Sequence, residues 1–272
     1  MKKTKKFRPP VKTHGGKWYL APWIIENFPN EFEKMTYVEP MCAGASVFLN
    51  KNSSDHEIIN DLDAGLICVF KSLRDEPKEF IDRLKRITYS ERVFNTALKR
   101  SQDKFEDYIE HAINEYVLRR MSRGGLKKAF AWSERKRGGK PGDVNAWKTM
   151  IKELPNISDR LKKTTILNKS IFEIFNIFDE ENTLWYIDPP YMPETREKNC
   201  KNIYEHEMTA DDHVNLLNLI KNARGKVIIS GYSCPLYNRT LKGWKIKKKT
   251  VSNNAGQGKI KEKRTECLWL NY

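Results

Sequence analysis

Short apolar runs alternate with longer mixed segments at the two ends of the chain, and the middle breaks that rhythm. Thr36-Tyr37-Val38-Glu39-Pro40 is an apolar run stopped by a turn residue, which predicts a short buried strand. Residues 43–50 then read as a helix opening on small side chains. Glu57-Ile58-Ile59-Asn60-Asp61 reads as a second strand, followed by a helix over about 64–73. Strand, helix, strand, helix is how a parallel α/β sheet begins. From roughly residue 77 to 163 the pattern is polar, strongly charged and helical, with a glycine-interrupted basic stretch over 119–140. Strand signals resume at Thr165-Ile166-Leu167 and Leu184-Trp185-Tyr186-Ile187. Thr209 is placed to N-cap a helix with Asp211 and Asp212 in its first turn, and Gly225 to close it. Residues 226–230 predict another buried strand, and 244–251 with 266–272 a hairpin around a basic Asn/Gly-rich loop. The expected architecture is one α/β domain, residues 1–76 and 164–272, interrupted by a mainly helical insert over 77–163.

Composition narrows the function classes. Lys and Arg total 50 against 35 Asp and Glu, a formal charge of +15, which favours polyanionic partners without deciding the fold. The five cysteines (Cys42, Cys68, Cys200, Cys234, Cys267) form no C-x-x-C pair, which argues against a disulfide framework or zinc ribbon and fits a reducing compartment. The histidines also lack metal spacing: no second His follows His206-Glu207 as H-E-x-x-H requires, so no metal site is expected. The first eight residues are charged with no apolar stretch behind them, unlike a signal peptide, and no segment approaches the ~20 apolar residues of a membrane span. A soluble, cytoplasmic protein without a membrane partner is expected; no protein partner is legible.

The strongest chemical signal is Asp188-Pro189-Pro190-Tyr191, directly after the apolar run 184–187. The carboxyl end of a strand is where open α/β sheets hold ligands. An aromatic amine is a poor nucleophile because its lone pair is delocalised into the ring. A carboxylate accepting one N–H and a backbone carbonyl accepting the other favour a more tetrahedral nitrogen. Two prolines fix φ and present the carbonyl rigidly, and a tyrosine can stack on a base. The plain alternative is a surface turn after a strand, where Asp-Pro is ordinary. A second signal is Tyr37-Val38-Glu39-Pro40-Met41-Cys42-Ala43-Gly44-Ala45, a strand entering a small-residue turn. It has one Gly where a dinucleotide fingerprint needs three, and no Gly-Lys-Ser/Thr of a P-loop follows. With Asp61 at the end of the next strand, placed to bond a ribose, it suggests a nucleoside cofactor without a pyrophosphate.

In order, Lys12-Thr13-His14-Gly15-Gly16-Lys17, Glu39-Pro40-x-x-Ala43-Gly44, Asn60-Asp61 and Asp188-Pro189-Pro190-Tyr191 resemble the Dam-like (D12 class) adenine-N6 DNA methyltransferases. Arg123-Gly124-Gly125-Leu126 and Arg264-Thr265-Glu266-x-Leu268-Trp269 extend the resemblance over nearly the whole chain, in the alpha arrangement, with the cofactor segment before the catalytic tetrapeptide. The resemblance implies a Rossmann-like sheet, S-adenosyl-L-methionine as cofactor and methylation of adenine N6 in double-stranded DNA with base flipping. Lys17 and the backbone around it would meet the methionine end, with Thr13 alongside. Glu39, Pro40, Ala43 and Gly44 would line the cleft, Asp61 would hold the ribose, and Asp188 would lie between cofactor and adenine. Two departures stand out: Thr13 occupies a position usually aromatic, and Ser170 begins a segment that often begins with Asp.

The insert supplies Arg119, Arg120, Arg123, Gly124, Lys127, Lys128, Arg135 and Arg137, interleaved with Phe130 and Trp132, a set suited to phosphate positioning and groove contacts. A second basic strip, Lys245, Lys247, Lys248, Lys249, Lys259, Lys261, Lys263 and Arg264, flanks a loop containing Asn254. Either strip alone is also what a solvated charged face looks like. The competing functions are an RNA adenine-N6 methyltransferase, since phosphate binding does not distinguish the sugars, and a non-catalytic DNA-binding protein on the same fold. A glutamine methyltransferase is disfavoured, because such enzymes usually carry Asn at the position of Asp188.

Overall fold

Apolar burial fixes the central strands. In the computed structural model, which describes residues 6–133, 135–137, 139–195, 206–252 and 263–272, all five residues of the strand before Asp188 are buried. In chain order the elements are α1 (Ala21–Ile25), β1 (Thr36–Glu39), α2 (Ser46–Asn50), β2 (His56–Asn60), α3 (Ala64–Asp75), α4 (Pro77–Arg86), α5 (Glu91–Lys99), α6 (Tyr108–Met121), β3 (Lys136–Arg137), β4 (Lys140–Pro141) and α7 (Gly142–Leu161). They continue with β5 (Thr165–Leu167), α8 (Ile171–Phe178), β6 (Thr183–Ile187), α9 (Ala210–Lys221), β7 (Lys226–Tyr232), α10 (Pro235–Thr240), β8 (Lys245–Ser252) and β9 (Lys263–Leu270). Among the described residues seven strands form one sheet in the order β5-β2-β1-β6-β7-β9-β8, and β3 and β4 form a separate two-stranded sheet.

The chain divides into two compact units. The second comprises residues 24–41, 52–58 and 169–272. Here β1 runs parallel to β6 (Val38 opposite Trp185) and β6 parallel to β7 (Ile187 opposite Ile229). β9 lies antiparallel to β7, and β8 antiparallel to β9. Tyr37, Val38, Trp185, Ile228 and Trp269 are fully buried, so the core lies against these strands. The strand order reverses between β1 and β6, which places their carboxyl ends side by side at a topological switch point, the usual ligand crevice of such sheets.

The first unit comprises residues 1–23, 42–51 and 59–168. Its boundaries do not coincide with the expected insert, because α3 packs on α6 and α7 and so joins the helical body. Gly65 is the close-approach point: a Cβ there would collide with the Glu115 side chain of α6. Tyr116, Trp147, Phe80 and Phe94 fill the interior among these helices, with edge-on ring contacts such as Phe80–Tyr116 at 5.8 Å.

Two local expectations need correction. Residues 43–45 are not helical: Ala43 and Ala45 have φ of 43° and 52°, and α2 begins only at Ser46. Left-handed backbone at alanine costs about 1–2 kcal/mol per residue, and composition alone does not announce it. Gly225 does not close α9 either. Thr209 caps that helix through a capping box with Asp212, as expected, but the helix stops at Lys221. Gly225 instead lies where a Cβ would crowd the carbonyls of Thr183 and Glu180.

Candidate active site

In the second unit the tetrapeptide is tied to the two strands beyond β6. Asp188 follows Ile187 directly and is half-buried. Its Oδ1 accepts a hydrogen bond from Ser230 Oγ at 2.7 Å, on β7 one residue past the partner of Ile187. Tyr186 Oη lies 3.4 Å from the same Ser230 Oγ. Pro189 is buried and Pro190 half-buried. Tyr191 is 9% exposed and donates its hydroxyl to Glu266 Oε2 at 2.7 Å. Its ring meets Tyr232 edge-on with centroids 4.7 Å apart, and Arg264 lies over Tyr232 at 5.5 Å. Glu266 pairs with Tyr232 across β9 and β7, so one register sets both contacts. Burial, reinforced by the charges of Asp188 and Glu266, raises the Tyr191 pKa well above its ordinary value, so the phenol stays protonated and donates. Beside β6, Glu39 closes β1: it is 2% exposed and accepts from Tyr37 Oη at 2.6 Å. Pro40 is buried after it.

The first unit holds the remaining cofactor candidates. Asp61 Oδ2 accepts the Ala43 amide at 2.9 Å and Oδ1 the Asp63 amide at 3.0 Å, so the strand-end carboxylate clamps the 42–45 turn. Burial raises the Asp61 pKa, and the two amides partly offset it. A Cβ at Gly44 would lie 3.0 Å from Pro9 Cβ and 3.2 Å from Thr13 Oγ1, so glycine there admits the N-terminal segment. Thr13 also backs Gly16. Lys17 is 7% exposed, with Nζ donating to the Gly15 carbonyl at 3.2 Å. Asn168 donates to the carbonyls of Asp61 and Leu62 at 2.7 and 3.0 Å; no sequence signal had marked it. Ser170, in the second unit, caps α8 through a capping box with Glu173.

The basic residues divide into two groups. Arg119 and Arg120, expected on the DNA-facing surface, are buried at 6% and 9% exposure. Arg119 bonds Asp63 through Nη2 and Glu115 through Nε at 3.1 Å, and Arg120 donates to the Ala146 carbonyl at 3.1 Å. Their guanidinium groups are committed inside the helical body, a correction to the surface expectation. Lys127 is half-buried with Nζ 3.3 Å from Glu115. Arg123, Gly124, Lys128 and Arg135 are exposed, and Trp132 is 51% exposed beside Phe130. Gly125, at φ 75°, lies so close to the Lys12 carbonyl that no side chain fits. Arg137 lies on β3, opposite Lys140. Asn254, Lys259 and Lys261 lie outside the described residues. The lysines of β8 are exposed along a sheet edge, where cations also serve to discourage strand addition.

Among the described residues no three His, Cys, Asp or Glu side chains gather as a metal-binding group, and no helix is long and apolar enough to cross a membrane. The sequence profile of the D12 class N6 adenine-specific DNA methyltransferases matches residues 14–254. The chain is 24% identical to Type II methyltransferase M.MjaIII of Methanocaldococcus jannaschii, covering 97% of this chain and 99% of that protein. It is 26% identical to Type II methyltransferase M1.LlaDCHI of Lactococcus lactis subsp. cremoris, over 97% and 95% of the two chains. To the DNA adenine methylase of Vibrio cholerae serotype O1 it is 25% identical, over 95% of each. With a sheet of this order, a tetrapeptide anchored at the switch point and a family match over most of its length, the chain belongs to the D12 class N6 adenine-specific DNA methyltransferases.

Proposed function

We propose that this methyltransferase takes its methyl group from S-adenosylmethionine and delivers it to N6 of an adenine rotated out of double-stranded DNA at specific sites. The observation that carries the reading is Asp188, a carboxylate at the end of a buried central strand, oriented through Oδ1 and followed by two prolines and an anchored tyrosine. The cofactor candidates suit a ribosyl sulfonium better than a dinucleotide. Asp61 is a half-buried carboxylate held by two amides, and a carboxylate retains lone pairs for hydroxyls after accepting two bonds. The turn Cys42-Ala43-Gly44-Ala45 carries no cation for a pyrophosphate. In this reading Lys17 and the neighbouring backbone, with Thr13, take the methionine end. Glu39, Pro40, Ala43 and Gly44 line the cleft, and Asp61 holds the ribose. When bound, the cofactor supplies an electrophilic methyl group on a positively charged sulfur.

The target amine lies inside the base stack, so the adenine must leave the duplex. Tyr191 gives the base an aromatic wall. Asp188 accepts one N6–H and the Pro189 carbonyl the other, which draws the amine lone pair out of conjugation. The bound cofactor would supply the methyl group to the oriented nitrogen, and the Asp188 carboxylate would take the proton that the nitrogen gives up. No covalent enzyme intermediate is needed, and Cys42, buried in the turn, serves packing. Exposed Arg123, Lys128 and Arg135, with the Gly124 backbone, position the duplex through its phosphates. Asp188→Ala is expected to keep the fold and cofactor affinity while slowing transfer by roughly 10³-fold, the scale of a lost acid–base group. Normal turnover in that variant overturns the mechanism.

A further inference from the structure

We infer that Ser230 is a positioning residue for methyl transfer, holding the Asp188 carboxylate at the rotation in which it grips the target amine. The inference rests on the reading of Asp188 given above. Ser230 is 1% exposed on β7, beside the carboxyl end of β6. Its Oγ has one proton and three neighbours: Asp188 Oδ1 at 2.7 Å, the Ile187 carbonyl at 3.3 Å and Tyr186 Oη at 3.4 Å. The shortest contact, to the charged acceptor, takes the proton, since charge-assisted bonds are the stronger. Tyr186 then fits as donor to Ser230. Its hydroxyl is fully buried, and burial together with the Asp188 charge raises its pKa well above the ordinary value, so it remains protonated.

A short donor chain thus runs from Tyr186 to Ser230 to Asp188. A carboxylate on a single Cβ turns freely about χ2. With Oδ1 tethered from the neighbouring strand, that rotation is set by the sheet rather than by the substrate. The amine then meets an acceptor already oriented, and the cost of ordering it has been met in folding. Serine suits the position because it adds a hydroxyl to a buried strand with little volume. Nothing in the tetrapeptide itself announces this partner, which comes from 42 residues downstream.

The test compares Ser230→Ala, Ser230→Thr and Asp188→Ala with the unmodified full chain. Measurements are single-turnover transfer of labelled methyl to duplex DNA, cofactor affinity by calorimetry, thermal midpoint, and fluorescence of 2-aminopurine placed at the target adenine. Ser230→Ala is expected to slow the single-turnover step roughly 10- to 100-fold, the scale of a lost hydrogen bond to a charged group. Cofactor affinity and flipping fluorescence should stay close to the unmodified values, the thermal midpoint should fall modestly because buried Tyr186 loses its acceptor, and Ser230→Thr, which restores the hydroxyl, should recover most of the rate. A Ser230→Ala enzyme with normal single-turnover rate overturns the inference. So does loss of cofactor affinity and thermal stability in parallel with the rate, or a folded Ser230→Thr no faster than Ser230→Ala. If Asp188→Ala itself turns over normally, the reading of Asp188 fails instead, and the two failures are told apart.

Discussion

Asp63 shows how one side chain in this protein holds two duties. Its Oδ1 caps α3 by accepting the Leu66 amide at 2.9 Å, and its Oδ2 receives Arg119. Burial alone would raise its pKa, but the Arg119 charge, the Leu66 amide and Lys127 outweigh burial and lower it. A carboxylate lowered on folding contributes stability that is present above its unfolded value, about 3.9, and is lost as pH falls through the lower folded value. Asp63→Asn keeps a good N-cap and removes only the charge. The gap in urea-unfolding free energy between the two proteins should therefore be widest above about pH 5 and shrink as the pH drops below about 4; a gap independent of pH would refute this role. Residues of this kind divide sharply by legibility. Asp188, Pro189, Pro190 and Tyr191 are contiguous and follow an apolar run, so they could be read directly. Ser230 and Glu266 could not, because they reach the tetrapeptide from 42 and 75 residues away. Glu266 stood in a family-like stretch, but only the register of β9 against β7 gives it a partner.

At the scale of elements, basic residues close together in sequence do opposite work. Arg119 lies one turn after Glu115 on α6, an i,i+4 spacing that was a readable sign of pairing, and its guanidinium ends inside the helical body. Arg123, Lys128 and Arg135 follow the helix end and face solvent. Composition cannot separate the two groups; the face each presents from its helix or turn does. Each phosphate contact contributes about −0.9 to the slope of log Kobs against log salt. Arg123→Ala, Lys128→Ala and Arg135→Ala should each flatten that slope by up to about one unit while leaving the unfolding transition in place. Arg119→Ala should do the reverse. It leaves the Asp63 carboxylate without its ion-pair partner, while Glu115 keeps Lys127, and costs about 3–5 kcal/mol of stability, with the salt slope of the remaining folded protein intact. A steep loss of slope in Arg119→Ala, without destabilisation, would contradict this division.

Across the whole molecule, the α/β class was legible because every strand of the β1, β2, β5, β6, β7, β9 set carries its own apolar signature. The antiparallel insertion of β9 between β7 and β8 was not, since a hairpin pattern does not say which of its strands meets the sheet. Nor was the membership of α3 in the helical body, which depends on the Gly65 contact with Glu115. The +15 charge became informative only when divided by exposure. The central claim is the identity of the product. Labelled methyl from S-adenosylmethionine should be offered to unmethylated duplex DNA, with RNA of the same sequence in parallel, and the product nucleosides separated. The account predicts label in N6-methyladenine from the DNA alone; label in cytosine, label only in RNA, or no label despite cofactor binding would contradict it.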